Sequence, residues 1–256
     1  MPFRFPGDTT HTRVALVTVA DTGLGRAVAR QLARAGMRVY AGARGEEAGR
    51  AVAGEPGACG LDVRHVPLDL HDDATVSRAA ELIEQSAGHL DVLVTMTGLT
   101  AFPGRTGADS PDGFQAVFET NFLDGLHLMT VTNAMFPLLR RSAGGRVVNV
   151  FSAFQPPATT RDVVPRNAVE ALTLHYADLG RPDGVLVNAV CVAAEIPARD
   201  GREDGAASLR AAALPVRLAL TGDHARTATY TGPDGVCASL SAGPGGATGV
   251  VTIDVV

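Results

Sequence analysis

An alternation constrains this chain more than any other feature: short, continuously apolar, β-branched runs separated by helical patterns. "VALVTV" (14–19), "MRVYAG" (37–42), "HVPLDL" (65–70), "DVLVTM" (91–96), "GRVVNVFS" (145–152), "GVLVNAVCV" (184–192) and "GVVTIDVV" (249–256) read as strands. Runs that are apolar at every position belong to a sheet covered on both faces. Helical character falls near 24–35, 72–86, 112–119, 122–141 and 165–179. Gly36 stops the first of these, Asp72 or Asp73 can cap the second, and Pro165 suits the first turn of the last. The expectation is an α/β fold, a doubly wound seven-stranded parallel sheet. No linker divides the pattern, so residues 13–256 are expected to form a single domain behind a flexible tail at 1–12. The stretch 193–215 is polar and small with a helical second half, and is expected to act as a lid over a ligand.

Composition narrows the partners. A net charge of −5 without a block of like charges argues against nucleic acid and anionic membrane. The longest apolar runs are strand-sized, so no membrane span is expected. The opening "MPFRFPGDTTHTR" lacks the apolar core of a signal peptide, which points to the cytoplasm. Cys59, Cys191 and Cys237 are widely spaced and odd in number, and read as reduced core residues. No His/Cys/carboxylate spacing suggests a metal. All 22 basic residues are arginines. Without a lysine there is no Schiff base and no lysine-assisted proton transfer.

"TVADTGLGRAVARQLARAG" (18–36) resembles the nucleotide-binding turn of the short-chain dehydrogenase/reductase family, T-G-x-x-x-G-x-G followed by an amphipathic helix. Thr18, Gly23 and Gly25 match; Val19 replaces the first glycine, where backbone freedom is wanted. "VPLDLHDDATV" resembles the segment whose aspartate, here Asp69, lies near the adenine beside Leu70. "LVTMTG" (93–98) stands in the place of L-V-N-N-A-G and keeps Gly98. "FETNFLDGLHL" supplies Asn121, and "GGRVVNVFSAF" resembles the strand that delivers the active-site serine, here Ser152. The resemblance spans about 13–256 and implies a Rossmann-like fold.

It also exposes an absence. The family's tyrosine, four residues before its lysine, moves the proton while hydride moves to or from a nicotinamide. Here "TTRDVVPRNAVEALT" carries Asp162 and Arg166 in those places. Arginine can grip a ribose, carboxylate or phosphate in a fork, and an Asp beside it would be a carboxylate, suited to a base or an orienting group. Asp162 is also readable as a surface residue paired with a nearby arginine, since Pro165 leaves it in the loop ahead of the helix. Tyr40, Tyr176 and Tyr230 all lie elsewhere in the chain, and His127 and His175 read as helix residues with packing or surface roles.

After the second strand, Arg44 stands where an acid would select NAD, so the resemblance implies NADP(H) as the candidate cofactor, with Thr18, Gly23, Gly25, Arg44, Asp69, Leu70 and Gly98 as its contacts. Three functions fit. One is an enzyme acting on a small organic metabolite by proton transfer, elimination or cyclisation through Ser152, Asp162, Arg166 and Asn121. Another is a catalytically silent ligand sensor or inactive subunit beside an active homologue. The third is an NADPH-dependent oxidoreductase whose proton comes from water or substrate. Helices at 122–141 and 165–179 resemble those of the family's dimer interface, which implies a homodimer, a homotetramer or a heteromer with a homologue.

Overall fold

Val14–Val17 form β1, and all four side chains are buried, so this strand must sit inside a covered sheet. The computed structural model describes residues 12–97, 111–152, 168–192, 205–221, 226–232, 237–242 and 248–252. From β1 the chain continues through α1 (Gly23–Arg34), β2 (Arg38–Ala43), α2 (Glu46–Ala58), β3 (Val63–Pro67), α3 (Asp73–Ala87) and β4 (Val92–Thr97). Then come α4 (Pro111–Leu139), β5 (Arg146–Ser152), α5 (Ala168–Gly180), a short 3-10 turn (Arg181–Asp183), β6 (Leu186–Val192), α6 (Gly205–Leu220), β7 (Thr229–Thr231), β8 (Cys237–Ala242) and β9 (Thr248–Thr252).

The strand order is β3-β2-β1-β4-β5-β6-β7-β8-β9. The seven strands from β3 to β7 run parallel, as the alternation predicts. Their seventh member is not the 249–256 segment. It is β7, a Thr-Tyr-Thr strand too short and too polar to stand out as an apolar run. The terminal segment contributes β9, which pairs antiparallel with β8 at the sheet edge, after β8 has paired antiparallel with β7.

Successive residues of each strand feed two separate cores, as a period of two requires. Leu16, Leu93 and Val147 pack with Leu128, Met135 and Tyr176 of α4 and α5. Val17, Val94 and Val148 pack with Val28, Leu32, Val52 and Val216 of α1, α2 and α6. The first core holds one polar relay. Thr95 Oγ1 donates to Asn149 Oδ1 at 2.8 Å, Asn149 Nδ2 donates to Thr173 Oγ1 at 2.8 Å, and Thr173 Oγ1 donates to the Val169 carbonyl at 2.6 Å. It ties β4, β5 and α5 together where no water reaches.

Several expected boundaries move for identifiable reasons. β1 ends at Val17 instead of 19, because Val19 turns to φ 49 and leaves the extended region. β3 is shifted toward Val63, since Leu68–Leu70 already belong to the turn into α3. Asp72 is the cap of α3, its side chain accepting from the Ala74 N–H. α4 is one continuous helix that spans both stretches expected at 112–119 and 122–141. α2 was not anticipated: three glycines and Pro56 blur its periodicity. Its Gly49 lies against the ring of His65, where a Cβ would fall 2.0 Å from Cδ2. α6 overlaps the second half of the 193–215 stretch and packs on α1, with Gln31 Nε2 donating to the Leu209 carbonyl at 3.2 Å. The start of the helix expected at Pro165 lies outside the described residues, as do 193–204.

Candidate functional site

Chain direction across the sheet reverses between β1 and β4, and the crevice beyond their C-terminal ends is where doubly wound folds take ligands. Thr18 closes the floor of that crevice. Its N–H donates to the Val94 carbonyl at 3.0 Å and its Oγ1 accepts from the Met96 N–H at 2.9 Å, so it bonds the end of β1 to β4. Val19 then adopts the left-handed conformation, a costly one for a β-branched residue. Thr22 caps α1: its Oγ1 accepts from the Gly25 N–H at 3.1 Å and donates to the Val19 carbonyl at 2.9 Å. The Gly23 and Leu24 amides at the head of the helix are left without intrahelical acceptors, with the positive end of the helix dipole behind them.

The two glycines of this turn do different work. A Cβ on Gly25 would lie 2.4 Å from the Val19 oxygen and 2.7 Å from the Ala20 Cα, so helix and strand can meet only over a glycine. A Cβ on Gly23 would lie 3.0 Å from Ser208 Oγ, so Gly23 also admits α6. That second role is invisible in a local motif, because Ser208 is 185 positions further along the chain. A threonine just ahead of a helical pattern is a capping signal, and Thr22 carries that signal in the sequence.

On the neighbouring rim, Asp69 Oδ1 accepts from the His71 backbone N–H at 3.0 Å and lies 3.1 Å from His71 Nδ1. The backbone hydrogen bond from His71 holds the Asp69 carboxyl below the usual carboxylate range, against the opposing effect of burial; the His71 side chain and the charge of Arg44 add to the lowering. Arg44 itself is exposed. Leu70 packs against the first core. The His71 ring meets that of His127 on α4 edge to face, with centroids 4.2 Å apart. Burial pushes the His127 imidazole down from its ordinary value, with His71 adding to this and Asp69 and Asp73 partly opposing it.

Ser152 is the last residue of β5, in register with Val192 of β6, at the C-terminal edge of the sheet. Asn121 lies in the first half of α4. Gly98, Asp162 and Arg166 lie outside the described residues. Two tyrosines are committed to packing: the Tyr40 hydroxyl is 2.6 Å from Ser86 Oγ, and the Tyr176 hydroxyl donates to Asn133 Oδ1 at 2.7 Å. Tyr230 lies beside Phe151, ring centroids 5.9 Å apart. Among the described residues no group of three or more His, Cys, Asp or Glu side chains could hold a metal ion, and no helix is long and apolar enough to cross a membrane.

A parallel sheet with a capped helix head facing the point of strand reversal defines a doubly wound α/β protein with an anion-receptive turn. The chain belongs to the short chain dehydrogenase family, whose model matches residues 13–195. It is similar to the short-chain dehydrogenase anuI of Penicillium roqueforti, 36% identical over 145 residues, or 54% of this chain and 55% of that protein. It is also similar to the rhamnolipids biosynthesis 3-oxoacyl-(acyl-carrier-protein) reductase of Pseudomonas aeruginosa, 33% identical over 144 residues, or 55% of this chain and 54% of that one. The matched stretches thus span about half the length of these relatives. Among solved structures, the RhlG/NADP active-site complex of Pseudomonas aeruginosa superposes with a TM-score of 0.70 at 26% identity, covering 91% of this chain and 98% of that one. A metagenomic short-chain oxidoreductase in complex with NADP gives 0.65 at 25% identity, over 86% and 96%.

Proposed function

We propose that this protein binds NADP(H) and acts on a small organic metabolite by proton transfer, elimination or cyclisation, without the tyrosine–lysine relay of its family. The observation that carries the cofactor half is Val19. The residue that departs from the glycine motif nevertheless takes φ 49, so the turn keeps a glycine-like course and the head of α1 faces the crevice. Gly25 under that turn, Thr22 at the cap, and Asp69 beside Arg44 fit a dinucleotide with an extra phosphate. The amides at the head of α1 would hold the pyrophosphate, Asp69 and Leu70 the adenine, and Arg44 the additional phosphate. When bound, the nicotinamide supplies a hydride donor or acceptor.

The chemistry half rests on the chain's composition. There is no lysine, and Tyr40 and Tyr176 are hydrogen-bonded within the first core. The groups left for substrate are Ser152 to orient an oxygen, Asp162 to take or hold a proton, Arg166 to grip an anion, and Asn121. Leu126 and Met129 on α4 and Leu179 on α5 remain about two-fifths exposed, which supports pairing of these helices in a homodimer, a homotetramer or a heteromer with a homologue. In such a heteromer the chain could serve as a catalytically silent subunit.

The test is a titration of the purified protein with NADPH and NADH, followed by nicotinamide fluorescence and checked by calorimetry. Micromolar NADPH binding, tighter than NADH, is the expected result. No binding up to millimolar nucleotide would overturn the cofactor half and move the search to cofactor-free chemistry or a partner protein.

A further inference from the structure

His65 lies on β3, at the edge of the sheet, with its backbone in register with Ala41 of β2. Its ring reaches along the sheet toward the C-terminal end of β2, where Nε2 comes within 3.3 Å of the Ala43 carbonyl. A carbonyl only accepts, so Nε2 carries the hydrogen in this contact. The same carbonyl accepts from the Leu68 N–H at 3.1 Å. The ring also lies against α2. A Cβ on Gly49 would overlap its Cδ2, Cγ and Nε2, so the helix can settle there only at a glycine. The Gly49 N–H in turn donates to the Gly45 carbonyl at 2.9 Å, closing the first turn of α2. Gly45 stands at the N-cap and has no side chain to fix the start of the helix. His65 thus holds the chain on both sides of Arg44, at Ala43 directly and at Gly45 through Gly49.

We infer that His65 is the positioning residue for Arg44: by holding Ala43 and seating Gly49 it aims the guanidinium at the additional phosphate of NADPH, and so sets the preference for NADPH over NADH. This rests on the cofactor reading above. Arg44 is exposed, and a long exposed side chain makes a directed contact cheaply only where its backbone is already ordered. The charge of Arg44 is felt at Asp69, which places the cation on the same rim as the adenine contacts. Glu46, the next acid along the chain, accepts from Arg50 Nη2 at 2.6 Å, so that carboxylate is engaged within α2. His65 itself needs no contact with the nucleotide. It acts through the backbone on either side of Arg44.

The experiment measures Kd for NADPH and for NADH in wild type, R44A, H65L and H65Q. NADH lacks the additional phosphate, so a merely structural effect would weaken both nucleotides alike. R44A is expected to lose the preference for NADPH. H65L keeps bulk beside Gly49 and removes the donor. It should lose about threefold to tenfold in NADPH affinity, the size of one hydrogen bond, with NADH affinity unchanged. Glutamine can still donate to the Ala43 carbonyl, so H65Q should keep most of the preference. Should H65L not fold, H65A removes the same donor and is read in the same way. Equal weakening of both nucleotides, an unchanged ratio, or a loss in H65Q as large as in H65L overturns the assignment of His65 alone. Failure of the wild type to bind NADPH, or an R44A variant that keeps the preference, overturns the cofactor reading of Arg44 and this assignment with it.

Discussion

Gly25 lies so close beneath Val19 that a Cβ on the one would sit 2.4 Å from the carbonyl oxygen of the other. Backbone opposes backbone there, so no rotamer change can relieve an added methyl. G25A is expected to lose about 1–3 kcal/mol of stability, the usual cost of overpacking, and to lose NADPH binding because the turn must move. G23A meets only the Ser208 side chain at 3.0 Å and should cost less. Urea denaturation of the two variants gives the order.

Val19 makes a second, opposite prediction. At φ 49 an L side chain is disfavoured and glycine is not. V19G should therefore be more stable than V19A by about 1 kcal/mol, the reverse of the order in an ordinary strand or helix. V19G should also bind NADPH at least as well as wild type. Thermal unfolding of the pair, with nucleotide titration alongside, checks both statements.

Asn149 holds two hydroxyls at once, Thr95 on β4 and Thr173 on α5. N149A strands the Thr95 hydroxyl in a place closed to water and leaves Thr173 only its bond to the Val169 carbonyl, and an unsatisfied group carries a penalty of about 1–3 kcal/mol. A destabilisation at the upper end of that range is expected, with faster amide exchange at the start of α5, where Thr173 donates to Val169. Loss of less than about 1 kcal/mol would mean that water enters and replaces the amide.

Acid should act through His127. Burial lowers its pKa in the folded chain, so below the ordinary histidine value of about 6.5 the unfolded chain takes up a proton that the folded chain resists. Stability is therefore retained above that value and falls as pH drops through the window beneath it. The H127Q variant should lose less stability than wild type between about pH 7 and 5.5, a window set by that reference value. Urea midpoints at the two pH values decide the point.

The parallel sheet was legible because its strands are apolar at every position; a sheet face open to water would have shown alternation. β7 and α2 were not legible, for different reasons. β7 is a strand because β6 and β8 pair with it, not because Thr-Tyr-Thr is apolar. α2 carries three glycines and a proline that weaken its pattern, yet Val52 is buried in the second core and Gly49 accommodates His65. Asp69 and the glycines were singled out by their resemblance to the family's segments.

By itself, then, the sequence determined the class of sheet, the place of the capped turn between β1 and α1 and the absence of a lysine, because these depend on local pattern and composition. Tertiary structure decided the rest. That Gly23 would serve α6 as well as the turn, and that Asn149 would join Thr95 to Thr173, follow from contacts between residues distant in the chain. Close packing fixes those contacts only when the whole sheet and both helical layers are assembled.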